Sequence, residues 1–434
     1  MSEEKNTQAV ETPKAEAAGA APVKPKRPKS KSQLMAAALL DKAYTDTMEA
    51  KARGEKIGWA TSLFPQEIAE TLGLHIVYPE NHGAAIAAKK LAAPFLEYAE
   101  AHDCNNDLCS YAKIDLAYAD IFDCSPASNM AKPDFLLIGN NGCNEITKWF
   151  ELLGKKLQIP TFIIDFTYNH MPYVTESRVQ YIKAQIEQVI EELSAFTGTT
   201  WDPEKFAEIM RISTENRNLW EQVADYLERR PSPLSGFDLF NYMGPMVFTR
   251  GRRETGDVMR QLISEIEEHI KNGTSTYPAK EEFRVFWEGI ACWPYLSHNL
   301  KTLKKYGINV CATAYARAWS LDYTPGDLAS LARAYAFTSS NNILLEESVR
   351  RRKEWNTKFH IDGTIYHVNR ACKVMVCQQQ ELMRRVSEAC GNLPYMSFDG
   401  DQADFRNFSE AQFETRIEAF AELMRKHKEE LQNG

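Results

Sequence analysis

The stretch that most restricts the fold is Phe135-Leu136-Leu137-Ile138-Gly139-Asn140-Asn141-Gly142-Cys143, which runs on into Glu145-Ile146-Thr147-Lys148-Trp149-Phe150. An unbroken apolar run that ends in asparagine and glycine, then gives way to helical spacing, reads as a buried strand turning directly into a helix. Strands of that kind belong to parallel sheets, which need crossover connections, usually helices. The same reading puts Cys143 where the strand ends and the helix begins. Backbone N–H groups and the helix dipole there favour a thiolate, the form of cysteine that binds metal or attacks carbon. The construction recurs at Thr364-Ile365-Tyr366-His367-Val368-Asn369-Arg370-Ala371, which leads into Cys372 and a further helix.

Taken in order, the chain alternates. A helix is expected from about Gln33 to Arg53, then strands at 57–62 and 74–78 with a helix between Pro65 and Gly73. A helix of about 20 residues should end near Asp103, followed by another helix, the Cys143 strand and helix, and the strand Thr161-Phe162-Ile163-Ile164-Asp165. The middle is helical, with Ile182, Ile186, Val189, Ile190 and Leu193 on one face and a later helix from Phe237 to about Asn272, interruptible near Gly244-Pro245. Strands return at 284–290, 308–314, 363–368 and 395–398. The expected fold is α/β: two Rossmann-like or flavodoxin-like parallel-sheet domains, at 33–172 (with the N-terminal helix) and 280–434. A helical connecting segment, 173–279, joins them. Residues 1–32, rich in Ala, Pro, Lys and Glu and without an aromatic, are expected to be a disordered tail.

Composition removes several functions. A net charge of −8 gives no support to nucleic-acid binding. No apolar run approaches membrane-spanning length and the start lacks the apolar core of a signal peptide, so a cytoplasmic location is expected. Nine cysteines, an odd number scattered through a long chain and without a CxxC pair, argue for free thiols or metal ligands over a disulfide framework or a zinc ribbon. Neither a Walker loop nor a GxGxxG after a strand occurs, which counts against this chain hydrolysing ATP or holding NAD.

Ligands of open parallel sheets bind beyond the carboxyl ends of the strands. That edge carries Ser62, Glu80, Cys143, Trp293 and Cys372, with Cys109 in a loop that reaches the same side. Each has a plainer reading: a cysteine often packs as a small apolar group, and Ser62 and Glu80 suit helix starts. Asp399, Asp401 and Asp404 lack the spacing of a calcium loop and are read as turn formers and domain contacts.

Further motifs carry a resemblance across about Glu49 to Met424. They are Gly54-Glu55-Lys56 with Trp59, Tyr78-Pro79-Glu80-Asn81, Asn106-Asp107-Leu108-Cys109, Lys148-Trp149-Phe150-Glu151, Pro231-Ser232-Pro233 with Gly236-Phe237-Asp238-Leu239-Phe240-Asn241, Trp287 to Pro294, Asn369 to Lys373, and Phe398 to Arg416. With these the sequence resembles the α subunits of the (R)-2-hydroxyacyl-CoA dehydratases. The resemblance implies that Cys109, Cys143 and Cys372 bind a [4Fe–4S] cluster with one iron left open, and that Ser62 and Glu80 are the active-site serine and acid. It further implies dehydration of a 2-hydroxyacyl-CoA to the (E)-2-enoyl-CoA through a ketyl radical, with a homologous β subunit and an ATP-dependent iron–sulfur activator as partners. Gly142 and Phe405 depart from the family pattern, which usually has a larger apolar residue and a proline there. The alternatives are a benzoyl-CoA reductase-type subunit and a non-catalytic iron–sulfur electron-transfer subunit.

Overall fold

The computed structural model describes residues 28–121, 130–338 and 344–433. Its elements run α1 (Lys31–Ala52), β1 (Ile57–Ala60), α2 (Gln66–Leu72), β2 (His75–Val77), α3 (Pro79–Ala88), α4 (Ala93–Ala101), α5 (Ser110–Asp120), β3 (Phe135–Gly139), α6 (Asn144–Leu157) and β4 (Thr161–Ile164). The middle holds α7 (Glu176–Thr197), α8 (Pro203–Asp225), α9 (Gly236–Phe248) and α10 (Arg253–Lys271). Then come β5 (Phe283–Glu288), α11 (Leu296–Lys305), β6 (Ile308–Thr313), α12 (Leu328–Ala336), α13 (Leu345–Lys358), β7 (Gly363–Asn369), α14 (Lys373–Val376), α15 (Gln379–Ala389), β8 (Tyr395–Gly400) and α16 (Glu410–Asn433).

The strands form two four-stranded sheets, in the orders β2-β1-β3-β4 and β6-β5-β7-β8. Every pairing is parallel. β1, β3, β5 and β6 are buried along their whole length, as strands covered on both faces must be. The sequence reading of a two-sheet parallel α/β chain therefore holds.

Three local expectations change. The single helix before Asp103 is two, because Lys90 turns into the left-handed region at φ 60° and Pro94 starts the next helix. The interruption expected at Gly244-Pro245 falls later, at 249–252: Pro245 lies inside α9, and Thr249 closes the helix with its N–H on Pro245 O at 2.8 Å. Gly244 serves close packing instead, since a Cβ there would stand 2.8 Å from Leu40 Cδ1 of α1. The expected tail lies outside the described residues up to 27, and its last residues are structured. Ser30 caps α1 in a capping box, while buried Ser32 bonds Tyr242 Oη and Glu265 Oε2, both at 2.5 Å.

The packing ties the two halves together. The apolar face of α7 (Val179, Ile182, Ile186, Val189, Leu193) joins the core of the first sheet, while α9 and α10 supply Phe237, Phe240, Met259 and Leu262 to the second. α12 follows β6 in sequence yet sends Leu331 and Tyr335 into the first core. At this crossing lies a buried ion pair. Glu67, on α2, accepts from Arg250 Nε at 3.2 Å, Tyr323 Oη at 2.7 Å, Tyr335 Oη at 2.7 Å and Ser213 Oγ at 3.1 Å. Burial works to raise the Glu67 carboxyl, and the Arg250 charge with the two tyrosine hydroxyls outweighs it, holding the group below its ordinary range. The backbone opened at 249–252 is satisfied from neighbouring helices: Gly251 N donates to Gln66 Oε1 at 3.1 Å, and Asn216 Nδ2 reaches Arg250 O and Arg252 O at 2.8 Å each.

Arg250→Leu strands the Glu67 carboxylate in the interior and should cost about 3–5 kcal/mol. Arg252→Leu breaks a partly exposed pair with Glu70 and should cost no more than about 1 kcal/mol. Urea denaturation of both variants checks the contrast; equal losses would contradict it.

Candidate active site

A cavity of about 690 Å³ is lined by the residues that follow the strands of both sheets. Ser62 and Leu63 come after β1, Glu80 and Asn81 after β2, Gly142 and Cys143 after β3, Trp293 after β5, Tyr315 after β6, Cys372 after β7 and Gln402 after β8. Parallel strands point their carboxyl ends the same way, so two such edges facing each other enclose a site. All six edge residues expected from the sequence line this one cavity: Ser62, Glu80, Cys109, Cys143, Trp293 and Cys372.

The three cysteines repeat one arrangement. Cys109 is the N-cap of α5, Cys143 of α6 and Cys372 of α14. The Cys143 sulfur accepts the Ile146 backbone N–H at 3.3 Å, whereas the Cys109 and Cys372 side chains accept no such bond from their own helices. Gln402 Nε2 adds a bond to Cys109 Sγ at 3.2 Å across the two halves, and Asn369 holds the Gln402 amide. The thiolate expected from helix position is not reached in the free protein. Burial pushes the Cys143 thiol up to about 11 and Cys372 up to about 12, with Cys109 raised well above its ordinary value, and the helix N–H groups only offset part of this. Mutual repulsion among the three adds to the rise, which places them within reach of one another's charge. Among the described residues, no three His, Cys, Asp or Glu side chains converge as ligands of a single metal ion. Three thiols spread around one cavity, with Ile146 N donating to Cys143 and Gln402 Nε2 to Cys109, fit a multi-iron cluster, whose extended body needs spaced ligands and whose sulfurs accept such bonds.

Glu80 stands in the first turn of α3 and turns back to β1 instead of capping its own helix. Ser62 N donates to its Oε2 at 2.5 Å and Ser62 Oγ to its Oε1 at 2.8 Å. Burial raises the Glu80 carboxyl to about 7, against the pull of those two bonds. Behind it, His82 and Asp115 form a fully buried pair at 2.6 Å, with burial raising Asp115 to about 6. Ser62 is itself held, its carbonyl accepting from Trp319 Nε1 at 3.1 Å. Tyr111 accepts from Trp293 Nε1, and Tyr111 and Tyr315 both line the cavity, giving it a hydroxyl-bearing wall.

Tyr111, Tyr315 and Gln402 were not singled out from sequence, although Tyr111 stands two residues beyond Cys109 and Gln402 lies in the Phe398–Arg416 motif. Nor was the wall formed by Gln33, Ala37, Leu40 and Tyr44 of α1. Cys292 is buried and donates to Asp401 O at 3.3 Å. Asp401 does form a turn and a domain contact, accepting from Ala403 N and Asp404 N and from Ser110 Oγ at 2.6 Å.

The chain that builds this site matches the 2-hydroxyglutaryl-CoA dehydratase D-component family model over residues 61–424, and it belongs to that family. Within it the chain groups with the α subunits of the (R)-2-hydroxyacyl-CoA dehydratases and is an enzyme of the hydro-lyase type. It is 44% identical over 391 residues (90% of this chain, 95% of the relative) to the (R)-2-hydroxyisocaproyl-CoA dehydratase alpha subunit of Clostridioides difficile. To the (R)-phenyllactyl-CoA dehydratase alpha subunit of Clostridium sporogenes it is 46% identical over 382 residues (88% and 93%). A benzoyl-CoA reductase subunit of Thauera aromatica matches at 26% over 361 residues (80% and 83%), so the dehydratases fit better than the reductase alternative. Among the described residues no helix is long and apolar enough to cross a membrane.

The raised Glu80 carboxyl has a thermodynamic signature. Between the ordinary value of 4.5 and about 7, the folded chain keeps a proton that the unfolded chain has released. Stability from this group is therefore full below pH 4.5 and declines as pH rises through 7, by on the order of 3 kcal/mol. Glu80→Gln should remove that part of the decline, and unfolding midpoints of wild type and variant at pH 5 and pH 8 measure it. Parallel pH slopes would show that Glu80 ionises normally.

Proposed function

We propose that this chain is the α subunit of an oxygen-sensitive (R)-2-hydroxyacyl-CoA dehydratase, releasing water from a 2-hydroxyacyl-CoA to leave the (E)-2-enoyl-CoA. Cys109, Cys143 and Cys372 hold one [4Fe–4S] cluster in this reading. The observation that carries it is that three cysteines, each the N-cap of a helix, all line the cavity that also contains Glu80. When bound, the cluster supplies a Lewis-acidic iron and the one-electron chemistry by which the thioester becomes a ketyl radical anion able to expel its hydroxyl.

The chain's own residues handle position and protons. Loss of water takes the hydroxyl from carbon 2 and one hydrogen from carbon 3, so a group that both gives and accepts a proton is needed. A carboxyl near 7 does both at neutral pH. The Ser62 N–H and hydroxyl each hold one oxygen of Glu80 and fix the direction of transfer. When Glu80 is protonated its O–H can bond Ser62 Oγ, freeing the serine hydroxyl to donate to a substrate oxygen. The apolar walls from α1, α6 and α9 keep out water. Exposed Lys29 and Lys89 at the solvent edge of the cavity suit the phosphates of coenzyme A. The α-subunit names of the relatives support a β-subunit partner, and a separate ATP-hydrolysing iron–sulfur activator supplies the electron in this reading.

Anaerobically purified α subunit should hold about four irons per chain. Cys109→Ala, Cys143→Ala and Cys372→Ala should each lower or abolish iron content, and Cys390→Ala should not. Full iron in all three would sink the ligand assignment. With the β subunit, activator, ATP and a reductant, Glu80→Gln should keep its cluster and lose about 10²–10⁴-fold in turnover. Ser62→Ala should lose less, about 10–100-fold, matching one hydrogen bond to a charged group. A chain that only passed electrons to a partner would keep its rate in both.

A further inference from the structure

The other glycines in or next to this site are required by their surroundings: Gly244, which also lines the cavity, would place a Cβ 2.8 Å from Leu40 Cδ1. A Cβ on Gly139 would lie 2.9 Å from Leu63 O, and one on Gly83 2.9 Å from the Tyr111 ring. Gly142 differs. It lines the cavity beside Cys143 and is absent from the left-handed positions among the described residues. A Cβ there would meet only Ile146 Cγ2 at 3.8 Å and Leu63 Cδ1 at 4.0 Å, ordinary contacts. Neither backbone nor packing demands a glycine, so its missing side chain leaves room in the cavity itself.

The lining of the cavity is mostly apolar. Ile146 and Trp149 of α6, Phe240 and Met243 of α9, and Trp319 line the cavity with Gly142. Its cations are Lys29 and Lys89, both exposed, and Arg352. Arg352 is committed to Glu288, with Nε and Nη2 on the two carboxylate oxygens at 2.8 Å each. A second carboxylate carried on the acyl chain would find no uncommitted cation inside. We propose that the acyl group of the substrate is bulky, uncharged and apolar, aryl or branched aliphatic, and that Gly142 sets its size limit by leaving the space it occupies. The proposal rests on the 2-hydroxyacyl-CoA reading above and names the substrate class of that site.

The test uses the complete α/β enzyme with its activator, comparing phenyllactyl-CoA, 2-hydroxyisocaproyl-CoA, lactyl-CoA and 2-hydroxyglutaryl-CoA. Wild type should favour the first two. Gly142→Leu should lower kcat/KM for phenyllactyl-CoA relative to lactyl-CoA by about 10–200-fold, the scale of pocket discrimination by a few carbons. Gly142→Ala should fall between. Calorimetric binding of cinnamoyl-CoA and acryloyl-CoA, with iron content and melting temperature as fold controls, gives a readout apart from turnover. A wild-type preference for 2-hydroxyglutaryl-CoA or lactyl-CoA overturns the proposal, as does an unchanged ratio in a folded Gly142→Leu enzyme. If no 2-hydroxyacyl-CoA reacts but cinnamoyl-CoA binds more tightly than acryloyl-CoA and Gly142→Leu reverses this, the pocket stands and the dehydratase reading falls.

Discussion

Glu67 and Arg250 meet in the fully buried interior, and much of the architecture is arranged to make that tolerable. A lone charge in such a place would cost several kcal/mol, so every nearby donor is drawn in: Tyr323, Tyr335 and Ser213 all bond the carboxylate. The partners come from distant parts of the chain, α2, α8, the α9–α10 link, and the segment around α12. Satisfying one ion pair thus pins the connecting helices and part of the second half against the first sheet. Ser62 lies in the turn just before α2, so the same cluster sets the position of one wall of the active site.

Burial has the opposite consequence a short distance away. At Glu67 a matching cation keeps the carboxyl ionised, whereas Glu80 has only the Ser62 N–H and hydroxyl, and desolvation lifts it to about 7. Two carboxylic acids, one fully buried and one half-buried, therefore play different parts, the first structural and the second, in the proposed reading, poised for proton transfer. The thiols follow the same rule. Each thiol stands at a helix N-terminus, yet out of water three neighbouring thiolates are disfavoured until a cation compensates them. In the proposed reading a positively charged metal group supplies that compensation, and Gln402, reaching Cys109 from beyond β8, joins the second half to the same demand.

The helix breaks show where local signals fell short. An alanine-rich run from Pro79 onward has helical spacing throughout, and the left-handed turn at Lys90, with Pro94 opening the next helix, separates α3 from α4. Gly244-Pro245 looked like a stop but lies within α9, because Gly244 is there for the approach of Leu40 on α1. The true break, at 249–252, is held open by Gln66 and Asn216, side chains that no local window contains.

Sequence alone determined the parallel α/β class, the strand positions to within a residue or two, and the edge carrying Ser62, Glu80, Cys109, Cys143 and Cys372. These follow from short-range physics: unbroken apolar runs must be buried, and a strand that turns into a helix exposes its last residues at one edge. The roles of those residues came from family motifs. What the tertiary structure decided are the properties that depend on neighbours far along the chain. These are Glu80 bonding Ser62 instead of capping its helix, the rise of its carboxyl, the aromatic wall of Tyr111, Trp293 and Tyr315, and the room left at Gly142. Desolvation and free volume arise only when separate elements close around a point, and no stretch of sequence carries that closure by itself.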